Sequence, residues 1–131
     1  MILYITFSGK DTVHINAVDA IAGANPQELG AYDFSAQKES GISFLENLLL
    51  IAKAQEFSIE EITGIIVQWG TESRFTVSRL TGATLNALAA TRQLPMIAQK
   101  TDESLQSAIE RLQNTPNAIL AIEYSADPRL G

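Results

Sequence analysis

ITGIIVQW, Ile62 to Trp69, runs into the polar loop GTESR, Gly70 to Arg74, and then into FTVSRLTGATLNALAATR, Phe75 to Arg92. The first segment is short, apolar and β-branched, which suits a strand buried on both faces. The last is long, lacks proline and is rich in alanine, which predicts a helix from Phe75 to Arg92. Gly82, Ala83, Ala87, Ala89 and Ala90 make that helix narrow, so another helix or a sheet can pack close to it. Leu94-Pro95 ends it, and Met96 to Ala98 predicts a short strand.

Upstream, Ile2 to Phe7 is nearly all apolar and predicts a second doubly buried strand. Ser8-Gly9-Lys10-Asp11 is a turn of hairpin length. Thr12 to Val18 then alternates, with Val13, Ile15 and Ala17 on one side and Thr12, His14 and Asn16 on the other, as a half-exposed antiparallel strand does. Gly23, Asn25, Pro26 and Gly30 mark a loop, with a weaker strand over Gly30 to Ser35.

Ser40 to Gln55 predicts the first long helix. Ile42, Phe44, Leu45, Leu48, Leu49, Ile51 and Ala52 share one broad apolar face, and Leu50 falls off it. This stripe is wider than one sheet contact requires. Ser58 with Glu61 forms a capping box for one short turn. Asp102 to Gln113 predicts a third, more polar helix with Thr101 as its cap. Asn114 to Asn117 reads as a turn and Ala118 to Tyr124 as a last strand.

The order is strands first, then strands alternating with helices. It predicts an α/β architecture, a mixed sheet with helices on its faces. The length of 131 residues fits one domain.

Composition removes several function classes. Nine Lys and Arg against 15 Asp and Glu give a net charge of −6, the wrong sign for gripping nucleic acid through phosphates. With no cysteine and one histidine, thiolate chemistry, disulfides and multi-His metal sites are excluded. MILYITF lacks the basic flank of a signal peptide. The longest apolar run, Leu48 to Ala52, is far short of a membrane span, and no lipidation signal is present. The expected address is the cytoplasm.

Catalytic signals are sparse. His14 reads as a surface histidine on the polar side of its strand, without a Ser, Asp or Cys constellation around it. Glu60-Glu61 and Asp102-Glu103 are adjacent pairs near helix starts, where acidic groups complement the dipole. Walker, G-x-G-x-x-G and G-x-S-x-G patterns are all absent. Gly70 to Arg79 opens a helix, and Arg74 and Arg79 add positive charge there. A phosphate could sit on such a loop, but Glu72 opposes it.

This segment resembles the TsaB (YeaZ) family, ASKHA-fold paralogues that support synthesis of threonylcarbamoyladenosine in tRNA. That family shows a strand, then G-P-G-S-F-T-G-[LIV]-R-I-G-x-A-x-A-x-G-L-A, then G-[IL]-P. Phe75 and Thr76 match its F-T pair and Arg79 its arginine. Leu80, Ala83, Leu88 and Ala89 follow in register, and Leu94-Pro95 matches the end. G-P-G-S is replaced around Thr71 to Arg74 with one extra residue, and Val77 stands for a glycine. Thr6 replaces the acidic residue of the family's first strand, which in active ASKHA proteins helps organise metal and phosphate. The strand Ala118 to Tyr124 looks like the one that opens a second lobe.

The resemblance implies a single ASKHA (ribonuclease H-like) lobe with a mixed five-stranded sheet, spanning residues 1–131, with the second lobe absent. ASKHA nucleotide sites lie between two lobes, so no cofactor is expected. The resemblance further implies a non-catalytic scaffold that binds a TsaD-type partner, with a TsaE-type ATPase joining indirectly. Pairing in that family uses the two long helices of the first domain. Here the implied interface comprises Phe44, Leu45, Leu48, Leu49 and Ala52 on the first helix. On the second it comprises Phe75, Thr76, Arg79, Ala83 and Ala87. Two other readings stand beside it: a homodimeric module without a tRNA role, and a nucleotide-binding lobe completed by a partner chain.

Overall fold

In the computed structural model, residues 1–19, 23–37 and 41–114 are described. Strand β1 (Ile2–Ser8) lies at the centre of a five-stranded sheet of order β3-β2-β1-β4-β5. It pairs antiparallel with β2 (Thr12–Asp19), which pairs antiparallel with β3 (Gly23–Asp33). On its other side it pairs parallel with β4 (Gly64–Val67), and β4 pairs parallel with β5 (Met96–Ala98). The meander followed by two crossovers is the mixed topology that the strand and helix order predicts.

Alternation along β1 divides the core. Leu3 and Ile5 join Val13, Ile15, Ile65 and Val67 under helices α2 (Phe44–Ala54) and α3 (Phe75–Arg92). Ile2 and Tyr4 join Val18, Ile66 and Ile97 under α4 (Leu105–Gln113). A strand with helices on both faces is apolar along its covered length, which is why β4 and the buried half of β1, Ile2 to Ile5, read as apolar runs, while Thr6 and Ser8 lie towards the open end of β1. A four-residue helix, α1 (Phe34–Gln37), precedes α2, and one 3₁₀ turn (Ile59–Glu61) precedes β4.

Several boundaries differ from the sequence reading, each for a local reason. β3 is a strand of 11 residues rather than a loop and a short strand. It forms an edge of the sheet, where Pro26 has no ladder partner to disappoint. The predicted helix Ser40 to Gln55 starts at Phe44. Gly41 at φ +73 interrupts any earlier start, and Ser43 is the cap, its hydroxyl accepting from the Glu46 amide at 3.1 Å. The third predicted helix starts at Leu105, capped by Ser104 rather than Thr101. Lys100 to Glu103 instead close a turn, with the Glu103 amide donating to the Lys100 carbonyl at 3.0 Å. β4 is shorter than Ile62 to Trp69 because Ile62 ends the 3₁₀ turn. The capping box at Ser58 is present in full, as is α3 from Phe75 to Arg92. The turn Asn114 to Asn117 and strand Ala118 to Tyr124 fall largely or wholly outside the described residues.

Candidate functional site

The helix pair sets out its own inner and outer surfaces. On α2, Phe44, Leu48 and Ala52 recur every four residues and are buried against the sheet. Between them Leu45, Leu49 and Leu50 are exposed by 43%, 49% and 54%. On α3, Val77, Thr81, Leu85 and Ala89 are buried. Thr76, Leu80, Ala83, Ala87 and Ala90 are exposed at spacings of three and four, a narrow stripe of small side chains around one leucine.

Of the residues expected at an interface, Phe44, Leu48 and Ala52 are buried and anchor α2 to its own sheet, and Phe44 also borders a groove with Tyr32 and Phe34. The sequence shows a broad apolar face but not which part the sheet covers. Leu45, Ala83 and Ala87 come together, lining a groove of about 580 Å³ between the helices with Ile59, Thr84 and Leu88. Thr76 lies on a second groove, of about 650 Å³, lined also by Tyr32, Phe34 and Leu80. Leu49 and Arg79 are exposed, and Phe75 is half-buried. Leu80 and Leu50 belong to the outer surface although the sequence reading placed neither at the interface. For Leu80 the signal was its place four residues after Thr76 and three before Ala83.

The loop before α3 is packed rather than open. Gly70 sits where a Cβ would lie 2.7 Å from both Phe7 Cβ and Ser73 Oγ, and Phe7 stacks on Trp69 at 5.4 Å between ring centroids. The Arg74 amide donates to the Lys10 carbonyl at 3.0 Å. The Arg74 guanidinium engages Asp11, Nε to Oδ1 at 3.2 Å. Its charge is thus partly neutralised where an anion would need it, and Glu72 is exposed beside it. This weakens the loop as a phosphate cradle.

The opposite sheet face carries polar groups. Asn16 is buried, its Nδ2 donating to the Tyr4 carbonyl at 2.9 Å. Tyr4 donates its hydroxyl proton to Gln99 Oε1 at 2.6 Å, and burial raises its pKa. Glu103 receives Arg111 through two hydrogen bonds, at 3.0 and 2.8 Å. That pairing holds the Glu103 carboxyl down at about 2 against an ordinary 4.5.

His14 departs from its sequence reading. Pairing of Ser8 with Thr12 and of Thr6 with His14 places Ser8 and His14 near each other on one face. Ser8 Oγ lies 2.6 Å from His14 Nε2, and His14 Nδ1 contacts the Glu28 carboxylate. The sequence reading placed no serine beside His14, whereas the sheet register brings Ser8 and Glu28 to it. This grouping went unseen because its members lie on three strands and Glu28 fell in a segment read as loop. Among the described residues, no group of three or more His, Cys, Asp or Glu side chains is placed to hold a metal.

No protein-family profile and no curated protein matches the chain. Solved structures do. YeaZ from Pseudomonas aeruginosa superposes with a TM-score of 0.53 at 14% identity, covering 74% of this chain and 41% of that one. An uncharacterised protein described as similar to peptidase YeaZ from Pseudomonas aeruginosa gives 0.53 at 12% identity, with the same coverage. The chain thus spans about two-fifths of the length of these neighbours and shares the α/β fold of the matched part of YeaZ.

Proposed function

We propose that the chain is a TsaB-like binding subunit that docks a TsaD-type partner through the outer surface of α2 and α3, in support of tRNA threonylcarbamoyladenosine synthesis. One observation carries the reading: Leu45, Leu49 and Leu80 stand exposed on the outer surface of the two helices, and Leu45 lines a groove there with the small side chains of Ala83 and Ala87. Isolated exposed leucines are ordinary, but three on the outer surface of one helix pair, beside a groove of small side chains, are what helix-on-helix association uses. Two helix faces can supply the roughly 800 Å² per partner of a standard interface. In this reading the chain contributes surface and no catalytic group to the modification reaction, and a TsaE-type ATPase joins only through the partner. The fold shared with YeaZ and the F-T…R match of Phe75, Thr76 and Arg79 support the assignment. The place of action is the cytoplasm, in keeping with the lack of any described helix long and apolar enough to cross a membrane.

Light scattering tests it, on the chain alone and mixed with the TsaD-type protein of the same organism. A one-to-one complex that Leu49→Glu abolishes is the expected result. A homodimer that ignores the TsaD-type protein would assign the same surface to self-association instead. A monomer in both samples would overturn the proposal.

A further inference from the structure

We infer that Ser8, His14 and Glu28 form a nucleophile, base and orienting carboxylate that acylate Ser8 from small, unhindered esters. This is separate from the partner-binding role and lies on the opposite face of the sheet from α2 and α3.

The geometry has the order that nucleophilic catalysis requires. Ser8 Oγ is 2.6 Å from His14 Nε2, within reach for proton transfer. The other ring nitrogen, Nδ1, contacts Glu28 Oε1. A carboxylate can only accept, so Nδ1 carries the proton of the neutral ring. That fixes the tautomer and leaves the Nε2 lone pair for the serine hydroxyl. Three adjacent strands hold the three groups, so their spacing is set by the sheet rather than by a flexible loop.

Access is equally direct. Ser8 is exposed at the end of β1, His14 is about 29% exposed and Glu28 about 53%. Gly9, next to the nucleophile, turns the chain at φ +59, and among the described residues a Cβ there would meet nothing within 4 Å. A substrate therefore approaches Ser8 from open space. Neither of the two grooves described above includes Ser8, His14 or Glu28, and the substrates inferred are accordingly esters of short acyl chains.

The step balances with ester and water alone. His14 Nε2 takes the Ser8 hydroxyl proton as Oγ bonds to the acyl carbon. The ester C–O bond breaks, and the departing alkoxide takes that proton from His14. Water, deprotonated by His14, then cleaves the acyl-serine, and the proton returns to Ser8 Oγ. Ser8 and His14 touch the reacting atoms, and Glu28 is a positioning residue.

The test is labelling of the full chain by a small alkyl fluorophosphonate, followed by intact mass and peptide mapping. In that reaction Oγ bonds to phosphorus and fluoride leaves. Ser8 is expected to be the labelled serine, and Ser8→Ala to remove the label. His14→Gln should slow labelling about 100-fold, the scale of a positioned general base. Glu28→Gln should lower the limiting labelling rate roughly tenfold while leaving the probe's half-saturating concentration unchanged, which a purely structural role would not do. Release of nitrophenol from p-nitrophenyl acetate should follow the same variant order. All three side chains are at least partly exposed, so the variants' melting temperatures should match the parent and keep the comparison valid. Labelling of Ser8 no faster than the other serines, or an unchanged rate in His14→Gln, overturns the inference.

Discussion

Leu48 and Leu49 are neighbours in sequence and opposites in the fold, and exchanging each for alanine tests which way α2 faces. Leu48 is 0% exposed and Leu49 is 49% exposed. Leu48→Ala removes three buried carbons, about 2.4 kcal/mol at about 0.8 per methylene. The cavity left behind raises the total to about 2–5 kcal/mol. Leu49→Ala removes a side chain already half in water and should cost at most about 1 kcal/mol. Urea unfolding reads the difference directly. At a slope of about 1–2 kcal/mol per molar, Leu48→Ala should lower the midpoint by roughly 1–5 M and Leu49→Ala by at most about 1 M. Light scattering should give the reverse order: Leu49→Glu dissociates the complex while the fold survives. A charged residue at Leu48 would unfold the chain and so could not report on association. Equal destabilisation by the two alanine variants would refute the inward and outward assignment. It would mean that α2 is rotated by a good part of the 100° that separates consecutive residues.

Two further outcomes follow from the packing. The Glu103 carboxyl is held at about 2 against an ordinary 4.5, so its stabilisation is full above about pH 4.5 and is lost as pH falls through about 2. With the Arg111 side chain 33% exposed and partly screened by water, this amounts to about 1–3 kcal/mol. Urea midpoints measured from pH 6 to pH 2 should show the loss, and Glu103→Gln should flatten it. At Gly30 an added Cβ would lie 2.6 Å from Ile51 Cδ1 and 2.9 Å from its Cγ1. Gly30→Val should therefore cost about 1–3 kcal/mol by overpacking, with Ile51→Ala recovering part of it in the double variant. Simple additivity of the two changes would show that this contact does not limit the packing.

The amino-acid sequence by itself determined the elements whose pattern is local. The apolar runs of β1 and β4, the full extent of α3, the short β5 and the capping box at Ser58 all depend on periodicity or on contacts within a few residues. The family resemblance rested likewise on a contiguous motif around Phe75, Thr76 and Arg79. Tertiary structure alone decided the rest. β3 is held as an edge strand by backbone pairing to β2, which its polar, proline-containing sequence does not announce. Which leucines of α2 remain for a partner depends on how much of a wide apolar face the sheet covers. Sheet register across three strands brings Ser8, His14 and Glu28 together, although six and fourteen positions separate them in turn. Local sequence sets backbone preference and side-chain period, while the meeting of distant side chains depends on register and packing across the whole sheet.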